Sequence, residues 1–408
     1  MADQLTLADP SIQACPFSTY ARMREASPIY LDPVTKMYVV TSFELARKIA
    51  ADHATFSNDT RQLQNRDTPA RGEIMRLLTE ADFLPVNTLV TNDPPDHRRF
   101  RSLVDKAFNL KRVQAVDARV ADICDELIAR FPDGAFDFVP AFAIKLPMQV
   151  IAEQMGVPPE MGDTFKVWSD ATLEQADFNI TPQRQIECVK LQLEMFQFFW
   201  ARAQELRQAP NDTLISDLSN AKIDDRLLTH QELTSLLLQI LVAGNETTTN
   251  ALAMGVHTLC ERTDLQDALR ASPVRIPAFV EEVLRLGTPL QGLFRRVTKP
   301  TTMGGVDLPE GAILNVRWAA ANRDPSEYPN PDAIDLERPN LTQHLTFGFG
   351  VHYCIGNQLA RLELRRGFEA LLRQSTSIAL ADGDGAAVWR PHFIARGLSR
   401  LNIRFARA

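Results

Sequence analysis

Between Thr229 and Cys260 the chain carries the pattern of one long buried helix, and few folds have room for it. Thr229 and Glu232 form a capping box at its start. Leu233, Leu236, Leu237, Ile240 and Leu241 then recur at helical spacing, and residues 233–245 carry no charge. An uncharged helix of that kind is enclosed on most sides. About 30 residues rising ~1.5 Å each span a whole domain. The middle of the stretch, Ala243-Gly244-Asn245-Glu246-Thr247-Thr248-Thr249, works against the pattern. Glycine inside a helix costs about 1 kcal/mol relative to alanine. Consecutive hydroxyl residues offer the backbone competing hydrogen bonds. Two readings stand: a tolerated flaw in a core helix, or a kink or bulge that marks a site.

The rest of the chain predicts a body able to enclose such a helix. Helical periodicity also covers 97–130, 140–155, 185–208, 276–287 and 357–373. Asp93 as N-cap and Pro94 in the first turn open the first of these. Strand-like pieces are short: 28–31, 37–41, 293–298, 302–306, 312–316 and 400–405. No repeat, linker or low-complexity tract interrupts them. The expectation is a mainly α protein with small β-sheets, a single large domain over residues 1–408. A net charge of −7 argues against nucleic-acid binding. Five cysteines, at 15, 124, 188, 260 and 354, are odd in number and widely spaced, which fits a reducing compartment rather than a disulfide framework. No signal peptide or membrane span is expected, and the location expected is cytoplasmic.

One stretch carries chemistry: Leu345-Thr-Phe-Gly-Phe-Gly-Val-His-Tyr-Cys-Ile-Gly-Asn-Gln-Leu-Ala-Arg361. Gly348 and Gly350 give G-x-G, but Tyr353 occupies the position a third glycine would need, and no Lys-Ser/Thr pair follows. Nucleotide-binding loops are thereby excluded. What remains is a glycine-rich loop holding Cys354 just ahead of a new helix. Helix-start amides and the positive end of the helix dipole favour thiolate over thiol. A thiolate held in this way is a nucleophile, with His352 as its base, or an axial metal ligand.

Phe347-Gly-x-Gly-x-His352-x-Cys354-x-Gly356 resembles the haem-binding loop of the cytochrome P-450 family. Residues 229–260 resemble that family's oxygen-activating helix, with Ala243-Gly244-x-Glu246-Thr247-Thr248 at the matching place. Glu282-Val-Leu-Arg285 resembles its E-x-x-R element, completed by Arg338. Arg295 stands as in its propionate-binding strand, and Asp93-Pro94-Pro95-Asp96-His97-x-x-x-Arg101 resembles the start of its third long helix. Order and spacing match from about residue 90 to 397, and loosely before that.

The resemblance implies haem b as cofactor with Cys354 as axial thiolate. It implies that His97, Arg101, Arg295 and His352 bind the haem propionates, with Phe347 and Gly244 beside the cofactor. Glu246 and Thr247 would be the catalytic acid–alcohol pair that delivers protons. Glu282, Arg285 and Arg338 read as a structural network. Val86, Leu241, Ala243, Leu290, Leu293, Phe393 and Ile394 would line a substrate pocket; Arg61, Arg66, Arg71 and Arg76 of the loop 60–92 read first as solvated surface and second as carboxylate anchors. The apolar set predicts a hydrophobic substrate, terpenoid or steroid-like before fatty acid.

The implied reaction is a monooxygenation by dioxygen, with electrons from a separate ferredoxin or flavodoxin and its reductase. Arg98, Arg99, Lys106, Lys111, Arg112, Arg361, Arg365 and Arg366 would form a basic docking face for that partner. The alternatives are a peroxide-driven peroxygenase, a non-enzymatic haem carrier or gas sensor, and a Cys-His hydrolase.

Overall fold

The computed structural model describes residues 5–60, 69–175, 180–383 and 385–408. The chain divides into two compact units, and one division falls inside the long helix His230–Glu261, between Glu246 and Thr247. The first unit combines Met1–Ser57, Val113–Leu146 and Thr247–Ala408. The second combines Asn58–Arg112 and Pro147–Glu246.

In the first unit a five-stranded sheet runs in the order Ile29–Leu31, Tyr38–Val40, Ile313–Val316, Leu293–Val297, Phe56–Ser57. Only the pairing of Ile313–Val316 with Tyr38–Val40 is parallel. Alternation along Leu293–Val297 places Arg295 on the buried face with Val297, opposite Leu314. Beneath the sheet Ile29, Val40, Phe43, Ile49, Phe56, Leu314 and Trp318 form a buried apolar core. The predicted strand at 302–306 is two strands, Thr301–Met303 and Val306–Leu308, folded back on each other. Gly304 and Gly305 have φ of +57° and +79°, the left-handed pair that a tight hairpin turn requires. The predicted strand 400–405 is the middle of Leu398–Arg407, which pairs with Ser375–Leu380, Ala387–Trp389 and Ala135–Asp137. Helix Asn357–Arg373 packs against helices Ile276–Gly287 and Asp117–Ala129.

The second unit is built on helix Pro182–Gln208, whose N-cap Thr181 accepts the Arg184 amide at 3.3 Å. Phe165 and Trp168 of helix Gly162–Glu174 pack on Phe198 and Phe199. The predicted helix 97–130 is three: Asp96–Ala107, Leu110–Ala115 and Asp117–Ala129. The first break comes where the Asn109 side chain accepts the Arg112 amide at 3.0 Å and starts a new helix. Asp93 is not the N-cap expected of it. The helix begins at Asp96 after Pro95, and the Asp93 carboxylate accepts the Asn58 amide at 2.9 Å instead. Among the described residues no helix is long and apolar enough to cross a membrane.

Candidate active site

The loop before helix Asn357–Arg373 is two single 3-10 turns, Leu345–Phe347 and Gly350–His352. It closes where the Cys354 amide donates to the Phe347 carbonyl at 2.9 Å. Gly350 has φ of +75°, and a Cβ there would stand 2.7 Å from the Ala50 carbonyl oxygen. No other residue fits. Cys354 is partly exposed and lies two residues before Gly356, which precedes the helix. First-turn helix amides have no partner within the helix, and the dipole adds positive potential there. Cys15 is exposed outside this loop, and three other cysteines differ from Cys354. Cys124 is fully buried, and burial pushes the Cys188 thiol up to about 11 and the Cys260 thiol up to about 12. Beside Cys354, a Cβ on Gly356 would meet nothing within 4 Å, and one on Gly348 nothing nearer than the His352 carbonyl at 3.7 Å. A partly exposed sulfur at a helix start, with open space that a side chain would fill, fits a large flat sulfur-ligated group such as haem.

Two adjacent glutamates of helix Ile276–Gly287 feed two separate networks. Glu282 is fully buried and takes Arg285 at 2.6 and 2.9 Å and Arg338 at 3.3 Å. The two guanidiniums spend their other donors on the carbonyls of Asn322, Pro329, Asn330, Pro331 and Ala333. They therefore hold the chain from 322 to 338. Glu281 takes Arg361 at 2.7 and 2.9 Å and His344 at 3.1 Å. Burial works to raise its pKa, but the hydrogen bonds from His344 and Arg361 and the Arg361 charge outweigh it and hold the carboxyl at about 2. Burial keeps His344 below its ordinary value despite that carboxylate. A neutral His344 donates from Nε2 to Glu281 while Nδ1 accepts the Thr346 amide at 3.4 Å.

The remaining predicted residues fall on both units. In the first, Arg295 is 2% exposed and donates to the Phe294 carbonyl at 2.8 Å. His352 ends its turn partly exposed, and buried Phe347 lies under the Arg361 guanidinium at 4.4 Å. Leu290 forms a bridge with Ala395, and the Gln291 amide donates to the Ile394 carbonyl at 2.7 Å. That contact gathers Leu290, Leu293, Phe393 and Ile394, with Phe393 stacked on Phe294 at 6.3 Å. Arg317, which sequence reasoning passed over, braces the turn: buried itself, it donates to the Phe393 carbonyl at 2.7 Å and covers the ring at 4.6 Å. In the second unit, buried His97 and half-buried Arg101 share one helix, and Arg101 pairs with Asp105 at 2.8 Å.

The long helix is unbroken from His230 to Glu261, so no bulge marks residues 243–249. Its capping box is formed, with Thr229 and Glu232 exchanging bonds of 2.9 and 3.2 Å. Glu246 is buried, Thr247 half-buried, Gly244 partly open and Ala243 exposed. Leu241 is buried. Val86 is 38% exposed, and its amide donates to Ser235 Oγ at 3.1 Å.

The expected basic face is largely neutralised. Arg99 pairs with Asp96 and Asp224, Arg112 with Asp212 and Asp217, Arg365 and Arg366 with Asp117, and Arg361 with Glu281. Arg98, Lys106 and Lys111 are exposed and carry no ion pair among the described residues. Of the expected carboxylate anchors, Arg61 and Arg66 lie outside the described residues, and Arg76 is held between Glu73 and Glu80. Sequence reasoning missed Glu281, His344 and Asn357 as partners of the cysteine loop. The available signal was the doubled Glu281-Glu282 beside the E-x-x-R element.

The sequence matches the cytochrome P-450 family over residues 177–272 and 276–377. It is 34% identical over 402 residues to the cytochrome P-450 monooxygenase PikC of Streptomyces venezuelae, covering 97% of this chain and 92% of that one. It is 32% identical over 393 residues to the vitamin D(3) 25-hydroxylase of Pseudonocardia autotrophica, covering 95% and 93%. The fold superposes on cytochrome P-450 CREJ in complex with (4-ethylphenyl) dihydrogen phosphate at a TM-score of 0.90 and 28% identity, covering 99% and 98%. With near full-length coverage and a mainly helical fold in common, the chain belongs to the cytochrome P-450 family, monooxygenases that bind haem b.

Proposed function

We propose that this P-450 inserts one oxygen atom, by hydroxylation or epoxidation, into a hydrophobic molecule of terpenoid or steroid-like skeleton. The observation that carries the reading is Cys354, partly exposed at a helix start while Cys124 and Cys188 are buried. Haem b, when bound, supplies activation of dioxygen and one-electron chemistry. Cys354 would hold it through its thiolate, and the helix-start amides that follow would tune the sulfur. Arg295, His97, Arg101 and His352 take its propionates, Arg through a two-pronged fork suited to carboxylates. Phe347 and Gly244 border it. Thr247 holds the proton that reduction of dioxygen consumes, and Glu246 replaces that proton.

Substrate is bound by area, at roughly 25 cal/mol per Å² of apolar surface covered. The partly exposed Leu290, Leu293 and Ile394, with Ala243 and Val86, supply such surface. A relative named for hydroxylating vitamin D(3) supports a steroid-like skeleton. Electrons come from a ferredoxin or flavodoxin in the cytoplasm, docking on Arg98, Lys106 and Lys111. The whole chain, 1–408, acts as one domain in this reading.

The test is a Soret titration of the purified ferric protein with terpenoids, steroids, fatty acids and aromatic acids. A saturable blue shift with terpenoids or steroids is expected. A shift with fatty acids alone would replace the substrate class, and a haem-supplied preparation with no Soret band would overturn the reading.

A further inference from the structure

The roles assigned above leave Glu281 without a task, yet four residues flanking Cys354 depend on it. Its carboxylate receives Arg361 Nε on one oxygen at 2.7 Å, and Arg361 Nη2 and His344 Nε2 on the other at 2.9 and 3.1 Å. Arg361 then donates from Nη1 to Asn357 Oδ1 at 2.9 Å. Asn357 donates from Nδ2 to the Cys354 carbonyl at 2.8 Å. The same guanidinium lies over the Phe347 ring, and the Phe347 carbonyl accepts the Cys354 amide. His344 and Phe347 precede the cysteine; Asn357 and Arg361 follow it. His344 and Arg361 meet one buried carboxylate supplied by a different helix, and Asn357 and Phe347 reach it through Arg361.

We propose that Glu281 is a positioning residue for Cys354, gripping both ends of the cysteine loop through Arg361, Asn357 and His344. Charge-assisted, two-pronged contacts have the directionality that holding a ligand requires. The Glu282 network holds residues 322–338 and reaches the loop through neutral bonds ahead of the cysteine, where Asn322 accepts the Leu345 amide and donates to Thr346 Oγ1. The proposal rests on the reading of Cys354 as the thiolate ligand. Partners of metal ligands contribute about 10- to 100-fold to affinity or activity, which sets the scale of the effect.

The experiment uses the haem-loaded protein and three variants: Glu281→Gln, which keeps shape and loses charge, Asn357→Ala, which cuts the link to the Cys354 carbonyl, and Glu281→Gln with Arg361→Gln. The readouts are the carbon monoxide difference spectrum of the reduced protein, its rate of conversion to the form lacking thiolate, the reduction potential and the melting temperature. Glu281→Gln and Asn357→Ala should each convert about tenfold faster and shift the potential. Adding Arg361→Gln to Glu281→Gln should change little more, because the two act as one chain. Should Glu281→Gln fail to load haem, Asn357→Ala, a partly exposed site, decides the matter. Variants that melt earlier but keep the parent's potential and conversion rate would overturn the proposal and leave Glu281 a merely structural role. A parent protein without a thiolate signature would instead overturn the reading of Cys354 itself.

Discussion

The cysteine loop and the segment from Phe83 to Asn92 both lack regular helix or strand, yet they are held by different chemistry. Around the cysteine loop the strongest contact is charged and two-pronged, running from buried Glu281 to Arg361, with His344 on the same carboxylate. Along Phe83–Asn92 they are neutral and single: the Val86 amide to Ser235, the Val90 amide to Gln239, the Asn92 side chain to the Asn87 carbonyl. Leu84, Val86 and Val90 stand 39, 38 and 44% exposed. Charge-assisted bonds are roughly twice as strong as neutral ones. The cysteine loop is thus held more firmly than Phe83–Asn92, where apolar side chains stand partly exposed.

Perturbations of the two regions should therefore separate by size. The largest effect belongs to Cys354→Ala, which removes the sulfur: no thiolate spectrum should form and product should fall to background in a turnover assay. Glu282→Ala strands two buried guanidiniums, and breaking a buried ion pair costs about 3–5 kcal/mol. Denaturant melts should show that loss together with failure to load haem; a change under 1 kcal/mol would put the network's importance elsewhere.

Acid tests the Glu281 cluster without mutation. Its carboxyl titrates at 4.5 when unfolded and about 2 when folded, so its contribution, about 3 kcal/mol, is complete above pH 4.5 and is lost as pH falls toward 2. His344 has a lowered pKa, so the unfolded chain takes up its proton first and stability begins to fall below pH 6.5. Denaturation midpoints followed from pH 8 downward should decline in those two stages, and Glu281→Gln should flatten the second. Gly350→Ala meets both a positive φ and the Ala50 carbonyl, for a cost of about 1–3 kcal/mol in thermal melts. Val86→Ala should change stability by less than about 0.5 kcal/mol while altering which ligands shift the Soret band. An equal loss of stability from Val86→Ala and Gly350→Ala would erase the distinction between the regions.

What could be read from the sequence follows the same line. The long helix was legible because 233–245 lacks charge and Thr229 and Glu232 cap it, and both features survive folding. Short amphipathic helices such as Phe43–Ala51 and Thr263–Ala271 were not, because two turns give too few repeats of a 3.6-residue period. The glycine and cysteine spacing of 347–356 identified the loop, since each of those residues is required locally. Its partners were not legible: Glu281 lies 63 residues from His344 and 80 from Arg361, and only tertiary packing joins them. The pairing of the basic residues was hidden for a related reason. Sequence shows the cations at 99, 112, 365 and 366 but not Asp224, Asp217 and Asp117 that fold against them.

The division among the cysteines has a practical consequence. A thiol titrating near 11 presents about one part in ten thousand as thiolate at neutral pH, so Cys188 is nearly inert toward soft electrophiles, and Cys260 and buried Cys124 more so. Cys15 is exposed. If haem covers Cys354 as proposed, a maleimide dye should attach at Cys15 alone, giving a single addressable handle on the native sequence for surface immobilisation or distance measurement.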